Sequence, residues 1–179
     1  MRFDEVLRSW SEWLERERIR YALIGGLAMQ AWGHSRYTND ADVAVDGMAR
    51  TRIVAHAEEL GYETLFVSEG YSNHLRSGEQ PFRIDFMYVY GATAEALFAD
   101  APRKPVVGDV SLPVARPEML AAMKGISMKN TPRRVLIDGN DVLYLLSLPG
   151  VNREEIRDYY ARNGMLDLLH AIEKHADRR

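Results

Sequence analysis

Asp40 and Asp42, set one residue apart in the stretch TNDADVAVD over residues 38–46, are the side chains whose type and spacing point most directly to chemistry. In an alternating strand Ala41, Val43 and Val45 point one way and the two aspartates the other, so both carboxylates share a face. Two carboxylates that close repel when ionised, and burial raises at least one pKa unless a cation neutralises them. Such hard oxygen donors suit Mg²⁺ or Mn²⁺, and Mg²⁺ usually takes one or two carboxylates together with substrate phosphates. Upstream, an apolar strand over 21–24 runs into Gly25-Gly26 and a short helix over 27–32, which Gly33 ends. Glycine lets the backbone turn sharply and approach a ligand, and the free N–H groups and positive dipole end of the helix start can face a phosphate. Taken separately each motif has a plainer reading: a diglycine is a turn, and Asp-x-Asp a solvated loop or helix cap.

A third acid changes the weighing. In the run PFRIDFMYV over 81–89, Phe82, Ile84 and Phe86 form one apolar face and leave Asp85 on the other, flanked by Arg83 and Met87. Paired beside residues 43–45, that strand's backbone would lie about 4.8 Å away. Asp40, Asp42 and Asp85 would then converge on one or two metal ions.

These residues resemble the DNA polymerase β-like nucleotidyltransferase superfamily: an apolar strand, Gly25-Gly26, a short helix, Asp40-x-Asp42 on the next strand and Asp85 on a later one. The chain is most similar to the AbiEii-type branch, many of whose members are toxins of toxin–antitoxin pairs. Arg36-x-Thr38-x-Asp40-x-Asp42 carries that likeness, as do Arg116-Pro117-Glu118-Met119-Leu120 and Lys124 downstream. It spans roughly residues 21–146 and is looser in its second half. There the branch often carries Lys-Asp-x-x-Asp, whereas this chain has Ile137-Asp138-Gly139-Asn140-Asp141, with both acids but not the base.

The resemblance implies that Asp40 and Asp42 hold two divalent cations and that Asp85 binds the second and takes the acceptor's proton. It implies that Gly25 and Gly26 hold the triphosphate, with pyrophosphate leaving as a nucleoside monophosphate passes to an acceptor hydroxyl. Arg36, just before the Asp-x-Asp strand, is the first candidate to clamp phosphate, and Lys124, on a helix across the cleft, the second. Their plainer readings are a loop ion pair and a surface lysine. His34 is read as a loop hydrogen-bonding residue, Arg133 and Arg134 as a solvated helix start. Asp138 and Asp141, three apart on a helix, share a face and either orient Lys124 or meet water.

The elements that must position these residues give an α+β fold, a nucleotidyltransferase-like mixed sheet flanked by helices. The boundary falls near residue 115: 1–115 a nucleotidyltransferase core, 116–179 a helical C-terminal subdomain. Phe3, Val6, Leu7, Trp10, Trp13 and Leu14 recur at helical spacing and read as a lead-in helix whose tryptophans pack in the core. A helix over 48–60, capped by Gly61, leads into a meander of short strands over 62–67, 71–76 and 81–89. A short helix over 92–98 follows. The run DAPRKP at 100–105 breaks regular structure, and Pro113 confines 110–114 to an edge strand or an extended segment. Pro117 opens a helix to about Met128, and three further helices cover 133–148, 152–163 and 165–175.

With 179 residues the chain can bury a real core; with no cysteine it excludes disulfides and thiolate metal sites, and a net charge of −3 does not suggest a general nucleic-acid binder, although a local basic patch could still hold RNA. The charged N-terminus lacks a signal peptide's apolar core and no run is long enough to span a bilayer, so a soluble, cytoplasmic protein without a membrane partner is expected.

The leading expectation is a Mg²⁺-dependent transferase that uses a nucleoside triphosphate and an acceptor hydroxyl on an RNA end, a protein side chain or a small molecule. An antitoxin partner is implied by the resemblance alone. Two alternatives stand beside it: an aminoglycoside nucleotidyltransferase using the same three acids, and a noncatalytic nucleotide-binding or regulatory module. The presence of all three acids argues against the last.

Overall fold

The computed structural model describes residues 3–35, 38, 40–78 and 81–176. They form two compact units, Met1–Ala115 and Arg116–Arg179. Among the described residues no helix is long and apolar enough to cross a membrane.

The first unit is built on a five-stranded sheet. Its elements are α1 (Phe3–Arg16), β1 (Tyr21–Ile24), α2 (Gly25–Ala31), β2 (Asp40–Asp46), α3 (Arg50–Glu59), β3 (Glu63–Val67), β4 (Tyr71–Arg76), β5 (Phe82–Val89) and α4 (Gly91–Phe98). The strand order is β1-β2-β5-β4-β3, with β2 and β5 parallel and the other neighbouring pairs antiparallel. The sheet is therefore mixed. Strand alternation sorts its residues onto two faces, and the apolar face is covered by helices. Trp10 of α1 meets Phe86 of β5 at 4.9 Å between ring centroids, and Trp13 stacks on His56 of α3 at 4.0 Å. Both tryptophans are buried, as core packing predicts and base stacking does not.

That apolar side also contains a polar chain that is buried at Ser72, His74 and Tyr88. The Ser72 hydroxyl bonds the Tyr88 hydroxyl at 2.6 Å and His74 Nε2 at 2.8 Å, while His74 Nδ1 meets the Thr64 hydroxyl at 3.1 Å. Burial pushes the His74 pKa below its ordinary value and favours the neutral ring. With Ser72 and His74 both at 0% exposure no substrate reaches them, so the pair satisfies buried polar groups rather than forming a hydrolytic dyad.

Residues 100–105 depart from expectation. Arg103–Val107 forms β6, paired antiparallel with β7 (Val110–Pro113), and the register shifts between Pro105 and Val107. A two-stranded ribbon tolerates proline because one edge of each strand needs no donor, and the bulge absorbs Pro105. Val114 then bridges to Leu23 of β1, which fits the predicted edge placement of 110–114.

The second unit is helical: α5 (Pro117–Asn130), α6 (Val135–Ser147), α7 (Arg153–Arg162) and α8 (Leu166–Ala176). Pro117 occupies the first turn of α5, where its missing N–H costs nothing. Gly125 lets α7 close on α5: a Cβ there would lie 2.6 Å from Tyr160 Cζ. The Tyr160 hydroxyl donates to the Ala121 carbonyl at 2.9 Å.

Candidate functional site

The parallel pairing of β2 with β5 decides the site. Asp42 stands in register with Asp85, and Asp40 with Arg83. Cross-strand partners project to the same side. All three acids are thus on one face, opposite the Trp10–Phe86 packing. On the neighbouring strand Asn73 is in register with Asp85, and Tyr71 with Met87, so these polar groups join the same face.

Gly25 lies against it. Its φ of +63° is a left-handed conformation that L side chains rarely adopt, and a Cβ there would come within 1.9 Å of Asp42 Oδ2. Gly25 is therefore required by its close approach to the Asp42 carboxylate. At Gly26 a Cβ would meet Thr38 at 2.8 Å, and the Thr38 hydroxyl donates to Asp40 Oδ1. Replacing Gly25 by alanine should cost about 1–2 kcal/mol of stability from left-handed strain alone and push the Asp42 carboxylate out of place. Chemical denaturation checks the first effect. Loss of divalent-cation binding at retained fold checks the second.

The third acid is held differently. Asp85 is 6% exposed, and both of its oxygens are engaged. Arg83 Nε donates to Oδ1 at 3.1 Å and Nη2 to Oδ2 at 3.1 Å, and Asn73 Nδ2 also donates to Oδ1. The guanidinium pKa is raised by these bonds, and burial, with Asp85 alongside, pushes the Tyr71 phenol up to about 12.

Among the described residues no three acidic or imidazole groups converge closely enough to hold a metal ion as they stand. The three acids are brought together in backbone register, not as a ready set of ligating atoms. The donor chemistry nonetheless fits a hard divalent cation. Two carboxylates share a strand face beside a glycine cradle that a Cβ would fill, with a third in the next strand.

The two expected phosphate cations fare unequally. Arg36 lies outside the described residues. Lys124, in the helical unit, is 7% exposed, and its ammonium is 2.9 Å from Asp138 Oδ1 and 2.7 Å from Asp141 Oδ2. Arg134 donates to Asp138 as well, at 2.8 Å. So Asp138 and Asp141 do orient Lys124 and do not face water, and Arg134 is part of an ion-pair cluster where a solvated helix start was expected. The His34 backbone N–H bonds the Met29 carbonyl at 2.9 Å, in keeping with a loop role.

Asn73 and the Arg83 fork were not expected as site residues. Arg83 could have been found from its i, i+2 spacing to Asp85. Asn73 could not, because its position depends on the register of β4 against β5.

No family model matches the chain, and no curated protein matches it. Solved structures do. The solution structure of the antibiotic-resistance factor ANT(2'')-Ia is 16% identical with a TM-score of 0.66, covering 98% of this chain and 97% of that one. The lincomycin-bound lincosamide antibiotic adenylyltransferase LnuA is 15% identical with a TM-score of 0.53, covering 79% and 94%. An antigenic nucleotidyltransferase-like protein from Paracoccidioides brasiliensis is 17% identical with a TM-score of 0.57, covering 95% and 91%. The fold is that of nucleotidyltransferases, as the diglycine and Asp-x-Asp pattern implied.

Proposed function

We propose that the protein transfers a nucleoside monophosphate from a nucleoside triphosphate to a hydroxyl group, with a divalent cation, Mg²⁺ or Mn²⁺, as cofactor. The observation that carries this is the in-register pairing of Asp42 with Asp85 beside the Gly25 cradle, on a sheet of nucleotidyltransferase fold. Asp40 and Asp42 are the residues that would hold the cation, with Asp85 completing the site. Bound there, the cation supplies charge neutralisation on the phosphates and eases ionisation of the acceptor hydroxyl. Gly25 and Gly26 bring backbone N–H groups to the triphosphate, and Arg36 adds a positive charge. Asp85 accepts the hydroxyl proton as the acceptor oxygen bonds to the α-phosphorus and the bond to pyrophosphate breaks. Catalysis then comes chiefly from alignment and from charge placed in advance. Lys124, with both carboxylates already on its ammonium, takes a structural part in this reading.

The acceptor is best read as a small molecule. Two of the solved neighbours are an antibiotic-resistance factor and an antibiotic adenylyltransferase, which favours an antibiotic-like hydroxyl compound. The second reading, a macromolecular acceptor in a toxin–antitoxin arrangement, rests on the Arg36-x-Thr38-x-Asp40-x-Asp42 likeness.

Incubating the protein and Mg²⁺ with each labelled triphosphate separates the two. Aminoglycosides and lincosamides serve as one set of acceptors and total RNA as the other. Label is expected on a small-molecule acceptor and absent without added divalent cation. Label on RNA alone would move the assignment to the second reading, and label on nothing, with no nucleotide bound, would leave the fold without this activity.

A further inference from the structure

Asp85 is the most deeply buried of the three acids, yet the positive charge that balances it comes from a side chain that is itself half in solvent. Arg83 has 49% of its side chain exposed against 7% for Asp85. It reaches the carboxylate from the outer side with a two-bond fork, Nε to Oδ1 and Nη2 to Oδ2, each 3.1 Å. The fork is the geometry in which guanidinium binds carboxylate most strongly. Asn73 fixes the same Oδ1 from β4. Arg83 is also the cross-strand partner of Asp40, so it stands between the outer acid of the Asp-x-Asp pair and the buried third acid.

We propose that Arg83 is a positioning residue for Asp85. It serves as the resident counter-ion that keeps the third carboxylate oriented while no divalent cation is bound, and it must give up at least one of its two bonds before Asp85 can turn to a cation. This rests on the metal-site reading above. The physical reason is competition for the same lone pairs: an oxygen that accepts from Arg83 and Asn73 has little left for a metal, and a half-exposed arginine can withdraw into water where a buried aspartate cannot. The fork thus opposes cation binding in the nucleotide-free protein. It also explains why three acids in register do not form a ready ligand set.

The test is Mn²⁺ affinity of the nucleotide-free protein, by titration calorimetry and by the spin-resonance signal of free Mn²⁺, with activity set aside. Arg83→Met should bind Mn²⁺ about tenfold more tightly than the native protein, the order expected when one charge-assisted bond no longer competes. Arg83→Lys keeps the charge but loses the fork and should bind several-fold more tightly. In the pair Arg83→Met with Asp85→Asn the gain should vanish. Melting gives a second readout: Arg83→Met should melt below the native protein without metal and recover more on adding Mn²⁺.

Equal or weaker Mn²⁺ binding by Arg83→Met, including no detectable binding by either protein, overturns the proposal. So does a gain confined to Arg83→Met and absent from Arg83→Lys, which would show a long-range charge effect with no competition for the carboxylate. Asp42→Ala reports on the underlying reading. If it binds Mn²⁺ as the native protein does, the metal site itself fails; if it loses binding while Arg83→Met is unchanged, only the positioning role fails.

Discussion

Asp42→Ala is expected to lower nucleotide transfer by about 10²–10³-fold, the scale on which removing a fixed electrostatic group from a transition state usually acts. The residue is proposed as a ligand, and its place explains why no neighbour can stand in for it. It stands in register with Asp85 on β5 and lies against the Gly25 cradle at the start of α2. Stability should change little, within about 1 kcal/mol, because truncating a half-buried carboxylate beside Asp85 relieves repulsion as it removes contacts. The check is labelled-nucleotide incorporation run beside a melting curve. Undiminished incorporation by a folded Asp42→Ala protein would remove the residue from the mechanism. Asp85→Asn should separate binding from turnover further, since the amide can still accept from Arg83 but cannot take the acceptor's proton.

Much of this arrangement is legible in the sequence because it is set by short-range rules. The alternation in DVAVD and RIDFM fixes which side chains share a face before any pairing is known. The glycines announce close approach, and the left-handed Gly25 turned out to need it. What alternation cannot supply is register between distant strands. Asn73 reaches Asp85 only because β4 returns along β5 with that particular offset, and nothing local to residues 71–76 marks it. The β6 strand was obscured for another reason: two prolines in APRKP argue locally against a strand, and only the pairing with β7 and the shift after Pro105 show how one is accommodated. The acids of α6 were half legible. Their i, i+3 spacing puts Asp138 and Asp141 on one face, but whether that face meets water or a lysine depends on how α5 packs against α6.

That packing makes Lys124→Met the substitution with the largest expected effect on stability. Asp138 and Asp141 are 0% and 2% exposed, and Lys124 lies within 3 Å of both, at 2.9 Å and 2.7 Å. Burial pushes the Asp138 pKa up, but bonds from Arg134 and Lys124 outweigh it, and the carboxyl ends below its ordinary value. Removing the lysine takes away the ammonium that both sealed carboxylates share, and breaking a buried pair in this way costs about 3–5 kcal/mol. The sign with pH follows. A depressed carboxyl pKa stabilises the native protein above the unfolded carboxylate pKa, and that stability is lost as pH falls through the folded value. In Lys124→Met, Asp138 takes up a proton more readily, so the gap between variant and native protein should narrow toward acid. Lys124→Met with Asp141→Asn should recover part of the loss by removing one buried charge. Urea denaturation at neutral and acid pH measures all three proteins. Should Lys124→Met unfold like the native protein and instead lose nucleotide affinity, the lysine belongs on the triphosphate, where the sequence first put it, and the buried cluster is not what holds the helical unit together.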